Sequence, residues 1–293
     1  MKYLPYELTR EEMIAFTPKW DGERFDDGRP KVPDDVLDKI YNYVSITFAW
    51  GVLKGNGYLW QFLDGFACTI EGEPLVGRAT TALYAPLRPD LREYMVKEGH
   101  EAGQIGDMIS WPIDMLTERD VYVADVFGKM EDGPIVGERL SAAVFANSHN
   151  GAIHNAAVRD IDGIRSIDGF NIFHRGMNPS HASPHSIMLM GINCPMRMET
   201  VTVMPGDVVL AKDGCVIFIP PHLAKFIAFA GTIENYRDQF GILRLTEKKY
   251  TPGQIDAAWI PEIEADFLAW LDTQPDVPFT RDDMAAIKGI RTW

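Results

Sequence analysis

The sequence has little of what marks the commonest functional classes. Its 293 residues contain three cysteines, Cys68, Cys194 and Cys215, far apart and in no C-x-x-C spacing. That count argues against a disulfide framework and against a cysteine-based zinc site, and it fits a reducing compartment. Positive charge is also scarce: 28 Lys and Arg face 42 Asp and Glu, for a net charge of -14, with no basic run anywhere. Nucleic acid is therefore not an expected partner. The apolar run from Tyr41 to Leu53 is too short to span a bilayer, and charges interrupt MKYLPYELTREEM where a signal peptide needs an apolar core. A cytoplasmic protein without a membrane partner is expected. G-x-S-x-G, P-loop and G-x-G-x-x-G motifs are missing, which argues against the usual serine hydrolases, nucleotide phosphatases and dinucleotide enzymes. Internal repeats, low-complexity tracts and flexible linkers are absent too.

What is present suffices for a core. With 46% hydrophobic and 24% charged residues, the chain can form one large domain or one ordinary domain with extensions. Residues 1 to about 33 are rich in charge, Gly and Pro and read as a surface extension anchored by Trp20 and Phe25. From Asp34 and Asp35 a helix is expected, with Leu37, Ile40, Tyr41, Val44 and Phe48 on one face. After LKGNG, the stretch YLWQFLDGFACTI reads as a second short helix or irregular structure. Pro74 to Leu83 reads as a strand, Leu91 to Ala102 as a helix, and VYVADVF as a buried strand that ends at the Asp132-Gly133-Pro134 turn. METVTVMPGDVVLAKDGCVIFIP reads as three strands joined by a Pro205-Gly206 turn and an Asp213-Gly214 hairpin. Pro220-Pro221 ends them, and a helix from Leu223 to about Ile233 closes the domain. From about Lys248 a helical tail is expected, with a Thr280 and Asp283 capping box and an apolar stripe of Ile263, Phe267, Trp270 and Leu271.

The stretch from Asp132 to Asp160 carries the chemistry. Gly137, Glu138, Arg139 and Leu140 open a helix reaching about Asn147, whose free backbone N–H groups and dipole can seat a carboxylate. Leu140, Ala143, Val144 and Ala146 would be buried, and HNG at 149 to 151 would end the helix through Asn or Gly in the left-handed conformation. The apolar run Ala152 to Val158 then delivers Arg159, a planar charged fork, and Asp160, a hard oxygen ligand suited to a divalent cation. Together they could hold a 2-oxo acid against a metal. An Arg-Asp pair can also be a surface ion pair, and Asp160 could simply cap the next short helix. His174, His181 and His185 could bind a metal, but Pro179 and Pro184 make a helix there unfavourable, so their spacing puts no two on one face. Substrate contact or loop chemistry is the more economical reading.

The succession VYVAD, VGERLSAAVFANSHNGAI, AAVRDIDGI, FHRG and MPGDVVLAKDGCVIFIP closely resembles the family of the ribonuclease E activity regulator A and the related 4-hydroxy-4-methyl-2-oxoglutarate aldolases, over about residues 42 to 232. The resemblance implies a layered, swivelling β/β/α-type α/β domain with a mixed sheet, preceded by an extension at 1–41 and followed by a helical one at 233–293. It implies a homotrimer, or a multiple of it, with sites at subunit boundaries. It also implies a magnesium- or manganese-dependent lyase, an aldolase or decarboxylase that releases pyruvate from a 2-oxo acid. The backbone from Gly137 to Leu140 would hold the pyruvyl group, Arg159 the substrate and Asp160 the metal. The chain departs from the family in having Asn155-Ala156 where Asp-Gly usually precedes the Arg-Asp pair, and Lys212 where an acidic residue is usual. Arg139 adds a charge that could meet a second substrate carboxylate. Two other readings stand beside the lyase: a non-catalytic protein-binding regulator, and a dehydratase or eliminase of a sugar-derived acid.

Overall fold

In the computed structural model, residues 5–182 and 184–287 are described. The chain begins with α1 (Arg10–Phe16), α2 (Asp34–Tyr43) and α3 (Ile46–Gly55), followed by two short strands, β1 (Phe62–Leu63) and β2 (Ala67–Cys68). The long strand β3 (Leu75–Pro86) leads into α4 (Pro89–Glu101), α5 (Trp111–Asp114) and β4 (Asp120–Lys129). Next come α6 (Glu138–Ser148), β5 (Ala152–Val158), α7 (Ile161–Arg165), β6 (Ile172–Met177) and β7 (Ile187–Ile192). The chain continues through β8 (Met196–Met198), β9 (Val201–Val203), β10 (Val208–Lys212) and β11 (Cys215–Ile219). Four helices complete it: α8 (Pro221–Thr246), α9 (Pro252–Ile255), α10 (Pro261–Leu271) and α11 (Arg281–Ala286). No helix among the described residues is long and apolar enough to cross a membrane.

This is a mixed α/β fold built on a nine-stranded mixed sheet, as the sequence implied. The order is β1-β11-β10-β3-β4-β5-β6-β2, and β7 also pairs with β3. The central pairs β3–β4, β4–β5 and β5–β6 are parallel, which explains their near-continuous apolar runs, since both faces are covered. On one face, Tyr122, Ala124, Ala152 and Ile172 pack with residues of α4 to α7. On the other, Val121, Val123, Ile153 and Phe173 meet Met196, Val201 and Val203 of the β8–β9 hairpin. A third cluster joins α2, α3 and the first half of α8 to β10 and β11.

Several expectations need correction. The single helix expected from Asp34 is two, because Val44 is extended and Ser45 caps α3 by accepting the Phe48 N–H at 3.1 Å. Tyr41 consequently points outward, with its hydroxyl on Glu73. The Tyr58 to Ile70 stretch is irregular apart from β1 and β2. The three-stranded meander is divided between two sheets. Glu199, at φ 51°, turns β8 into β9, and Pro205-Gly206 carries the chain across to the β10–β11 hairpin of the main sheet. The helix after Pro220 continues to Thr246. The bounds placed at 41/42 and 232/233 fall within α2 and α8.

The N-terminal segment is not merely laid on the surface. Arg29 is buried, with its guanidinium 3.0 Å from the buried Asp120 and 2.6 Å from the Thr80 hydroxyl. At the other end, the second half of α8 forms a small core with the tail, in which Phe240, Ile263, Phe267 and Leu271 are buried. Thr280 and Asp283 make the expected capping box. Trp259 and Trp270 lie partly buried in this cluster, and Trp20 is covered by its own chain. Trp293 lies outside the described residues. Trp20, Trp259 and Trp270 therefore need no subunit boundary to cover them, and they lose their force as an argument for assembly.

Candidate functional site

The site suggested by sequence lies where β5 ends and α6 begins. Ser141 donates the first intrahelical bond of α6, to the Gly137 carbonyl at 3.0 Å, so the N–H groups of Glu138, Arg139 and Leu140 precede the helical ladder. Gly137 is the N-cap in an extended conformation, with no side chain to satisfy those donors. β5 runs parallel to β4 and returns the chain to the same edge, where the Arg159 N–H meets the Val136 carbonyl. Asp160 is left-handed, at φ 56° and ψ 43°, a conformation that costs a non-glycine residue on the order of 1 kcal/mol and is best tolerated by Asp and Asn. It heads α7 without a side-chain capping bond. Asp160 is thus the N-cap of α7 through its carbonyl, which accepts the Ile164 N–H at 3.0 Å, while its carboxylate takes no part in the cap.

The Arg-Asp side chains lie over Gly137. A methyl group built there would sit 2.5 Å from Asp160 Oδ2 and 3.3 Å from both Cγ and Nε of Arg159. Only a glycine leaves this space open. The side chain of Arg159 is 39% exposed and that of Asp160 48%, and they make a loose pair, Nε to Oδ2, at 3.7 Å. Arg159 Nε is buried and has no hydrogen-bond partner, so the fork holds an unspent donor beside the helix start. Glu138 and Arg139 are exposed and Leu140 is half-buried against the core. The residues expected to form the site are thus brought together: the Gly137–Leu140 backbone, Arg159 and Asp160.

Among the described residues, no three His, Cys, Asp or Glu side chains converge to hold a metal. A single half-exposed carboxylate nevertheless suits magnesium, which keeps several waters and often takes only one or two protein carboxylates. Asp160 fits that mode of binding. The three flagged histidines do not meet: His174 is buried in β6 with Nδ1 on the Gly176 carbonyl, whereas His181 and His185 are exposed in the next loop. Burial holds the His174 pKa below its ordinary value.

The helix itself differs in detail from expectation. Its left-handed C-cap is His149, not Asn or Gly, and His149 Nδ1 lies 2.8 Å from Glu118. Ser141 and Ser148 are buried, whereas Ala146 is exposed. Ser148 satisfies its hydroxyl on the Val144 carbonyl, which makes a small polar residue admissible there.

Sequence reasoning missed two groups beside the site. His154 is fully buried in β5 opposite His174, and among the described residues its ring nitrogens make no well-formed hydrogen bond, the backbone at Ala157 and Gly133 acting on it only weakly. Desolvation, reinforced by His174, lowers its pKa to about 3. It is neutral. A lone histidine in an apolar strand was the available signal. The second group explains the Asn155 departure. Asn155 donates to Asp125 at 2.8 Å and accepts from Arg175 Nε at 2.8 Å, while Arg175 also pairs with Glu199 and stacks 3.7 Å over Phe66. Burial raises the Asp125 pKa. An amide at 155 can bridge a carboxylate and a guanidinium without adding a second charge.

Comparison with known proteins gives one family match and several structural likenesses. The model of the RraA-like family, described as Aldolase/RraA, matches residues 59–217. Protein DlpA of Legionella pneumophila is 28% identical over 150 residues, which cover 51% of this chain and 22% of that protein. The match thus spans less than a quarter of the curated relative. An uncharacterized protein from Pseudomonas syringae pv. tomato superposes with a TM-score of 0.62 at 21% identity, covering 78% of this chain and 100% of that one. RraAS2 of Streptomyces coelicolor, described as an unusual member of the RNase ES inhibitor RraA protein family, gives 0.59 at 20% identity, covering 74% and 98%. At such identities the structural likenesses establish the fold.

Proposed function

The chain belongs to the RraA-like family, and from that premise we propose that it is a divalent-metal-dependent lyase that breaks a carbon–carbon bond of a 2-oxo acid. The observation that supports this reading is the packing of Arg159 and Asp160 over the side-chain-free Gly137 at the start of α6. In this reading the helix start serves as an anion seat, Arg159 as a two-pronged cation and Asp160 as a half-exposed carboxylate beside them.

In this reading the N–H groups of Glu138, Arg139 and Leu140 bind the substrate carboxylate, and Arg159 faces the 2-oxo oxygen. When the C–C bond breaks, its electron pair moves into the carbonyl and leaves pyruvate enolate, whose oxygen charge Arg159 stabilises. In aldol cleavage the 4-hydroxyl loses its proton as the second carbonyl forms. In decarboxylation carbon dioxide departs instead. The enolate then takes a proton on carbon to give pyruvate. Asp160 would hold magnesium or manganese, whose chemistry when bound is Lewis-acid polarisation of the oxo acid. The proposed assembly is a homotrimer or a multiple of it.

The test is a screen of 2-oxo acids and sugar acids with added magnesium or manganese, reading pyruvate or any other carbonyl product. Asp160→Ala should abolish turnover while the thermal midpoint holds, and chelation should copy the defect. Arg159→Lys should lose on the order of 10²- to 10³-fold, because a point charge cannot replace the fork. A Lys variant within a few-fold of wild type, or activity that survives exhaustive chelation, would contradict the assignment. Light scattering tests the assembly, since a fully active monomer of 32.9 kDa would refute the trimer. A non-catalytic regulator has no physical need for a half-exposed carboxylate and guanidinium packed over a helix start, which is why the lyase is preferred.

A further inference from the structure

Two Asn-Gly pairs end helices in this chain, and the fold treats them differently. Asn56-Gly57 closes α3, and Asn150-Gly151 follows the end of α6. An asparagine before glycine is chemically labile, because the next backbone nitrogen can attack the side-chain amide and glycine carries no side chain to hinder it. The surroundings decide whether that attack takes place.

Asn150 is held on every side. Its Nδ2, the group that would have to leave, donates to the Val76 carbonyl at 3.0 Å and to the Arg119 carbonyl at 3.4 Å. Its Oδ1 accepts the Gly151 N–H at 2.9 Å, and its own N–H donates to Ser148 Oγ at 3.2 Å. Gly151 is buried: its carbonyl accepts the Tyr122 N–H at 3.2 Å, and a methyl group built on it would lie 1.9 Å from the Asn171 carbonyl oxygen. The Oδ1 bond draws the Gly151 nitrogen toward the side chain, but closing a ring there would drive Gly151 into its neighbours and break both Nδ2 bonds.

Asn56 is exposed as the C-cap of α3, and among the described residues one side-chain bond holds it, from Nδ2 to the Val52 carbonyl at 2.9 Å. Open space surrounds its neighbours: a methyl group built on Gly55 or Gly57 would meet nothing within 4 Å. The Gly57 N–H bonds the Lys54 carbonyl at 3.1 Å, in an exposed terminal turn of the kind that opens readily.

We propose that Asn56 is a site of spontaneous modification, at which water converts the side-chain amide to a carboxylate through a cyclic imide formed with Gly57. The Gly57 nitrogen gives its proton to solvent base and bonds to Asn56 Cγ. The Cγ–Nδ2 bond breaks, and ammonia leaves with a proton taken from water. Water then adds to either carbonyl of the ring and opens it, giving isoaspartate or aspartate. The sum is amide plus water to carboxylic acid plus ammonia, with no change of oxidation state. The product places a negative charge at the carbonyl end of α3, where the helix dipole disfavours it, and removes the donor to Val52. The last turn of α3, which the Tyr58 N–H closes on the Leu53 carbonyl at 2.9 Å, is thereby loosened. Neither asparagine belongs to the proposed lyase centre, so the test does not depend on lyase activity.

The test is incubation of the full chain at mildly alkaline pH, followed by peptide mass spectrometry and enzymatic methylation of isoaspartate. In the folded protein the peptide that begins after Lys54 should gain the mass of O in place of NH and become a methyl acceptor, at least about tenfold faster than the peptide holding Asn150, which must first open locally. In urea, where neither pair keeps its surroundings, the two rates should come within about threefold of each other. Asn56→Gln should remain unmodified over the same period. Asn56→Asp, which makes one product directly, should speed amide exchange across residues 54–58 by about threefold or more. The proposal is overturned if the folded chain keeps the Asn56 amide, if Asn150 converts as fast as Asn56 in the folded chain, or if Asn56→Asp leaves exchange at the end of α3 unchanged. A preference for Asn56 that persists undiminished in urea would overturn it too, because the fold would then not be its cause.

Discussion

Adding one methyl group at Gly137 tests the proposed centre more sharply than deleting a charge, because it removes no functional group and only displaces one. In Gly137→Ala the new Cβ would lie 2.5 Å from Asp160 Oδ2, and ordinary contact begins at 3.4 Å, so the oxygen must retreat by 3.4 − 2.5 = 0.9 Å. Arg159 must yield by 3.4 − 3.3 = 0.1 Å. The backbone at 137, φ −127° and ψ −164°, accepts alanine without strain. Asp160 can move because its side chain is 48% exposed. Stability should therefore change by about 0.5 kcal/mol or less. Catalysis should not tolerate the shift, since a displacement of about 1 Å at a reacting geometry can cost about 10²-fold. The assay is pyruvate release at saturating magnesium, with calorimetric titration of pyruvate or oxalate as a binding readout and thermal unfolding as the control. A variant that keeps both its unfolding midpoint and its rate within threefold of wild type would refute the placement of Arg159 and Asp160 at this helix start.

Three further outcomes follow from the core. His154, with its pKa lowered from 6.5 to about 3, contributes stability that is present above pH 6.5 and is lost as pH falls toward 3. Asp207, raised from 3.8 to about 8, contributes stability that is present below pH 3.8 and is lost as pH rises through 8. Between about pH 4 and 6.5 the two slopes oppose each other, each at most about 1.4 kcal/mol per pH unit. Asp207→Asn should steepen the acid loss in urea titrations across that window and His154→Leu should reverse it; unchanged slopes would remove both assignments. Arg29→Met should cost about 3–5 kcal/mol, because the buried Asp120 loses its cation. Adding Asp120→Asn should recover part of the loss, and a single-variant cost under about 1 kcal/mol would mean that the pair is not structural. Phe267→Ala, which empties the centre of the tail cluster, should cost about 3–5 kcal/mol. Limited proteolysis should then cut beyond Thr246 first, and cleavage starting in the main sheet would contradict the separateness of that small core.

Elements whose pattern is local could be read from the sequence. β3, β4, β5 and α6 lie close to where periodicity and turn residues put them, because each is a predominantly apolar stretch bounded within a few residues by turn-forming Gly, Pro, Asn or Asp. The Thr280 cap was legible for the same reason, its two partners being three residues apart. The break at Val44-Ser45 was hidden by an apolar stripe that continues through it, although Ser45 was the cap that should have marked it. The extension of α8 to Thr246 was hidden because its second half is stabilised mainly by residues from Tyr250 onward. Within the candidate site, Gly137, Arg159 and Asp160 were named from the sequence, but only the fold shows that the space over Gly137 is what admits the other two.

The parts that sequence could not supply share a physical cause. Arg29 with Asp120 and Asn155 with Arg175 each join segments that are not neighbours in the chain. A charged residue in a Gly- and Pro-rich stretch such as WDGERFDDGRP looks solvated, because nothing nearby in sequence shows that a buried carboxylate awaits it. Once Asp120 lies at the start of a central parallel strand with Thr117 and Thr80 on its other oxygen, the cation must come from elsewhere, and the N-terminal segment delivers it. That requirement ties the segment to the sheet, and Arg24 fastens the segment internally by donating to Thr17 and to the Trp20 carbonyl. The segment therefore belongs to the folded unit rather than lying outside it.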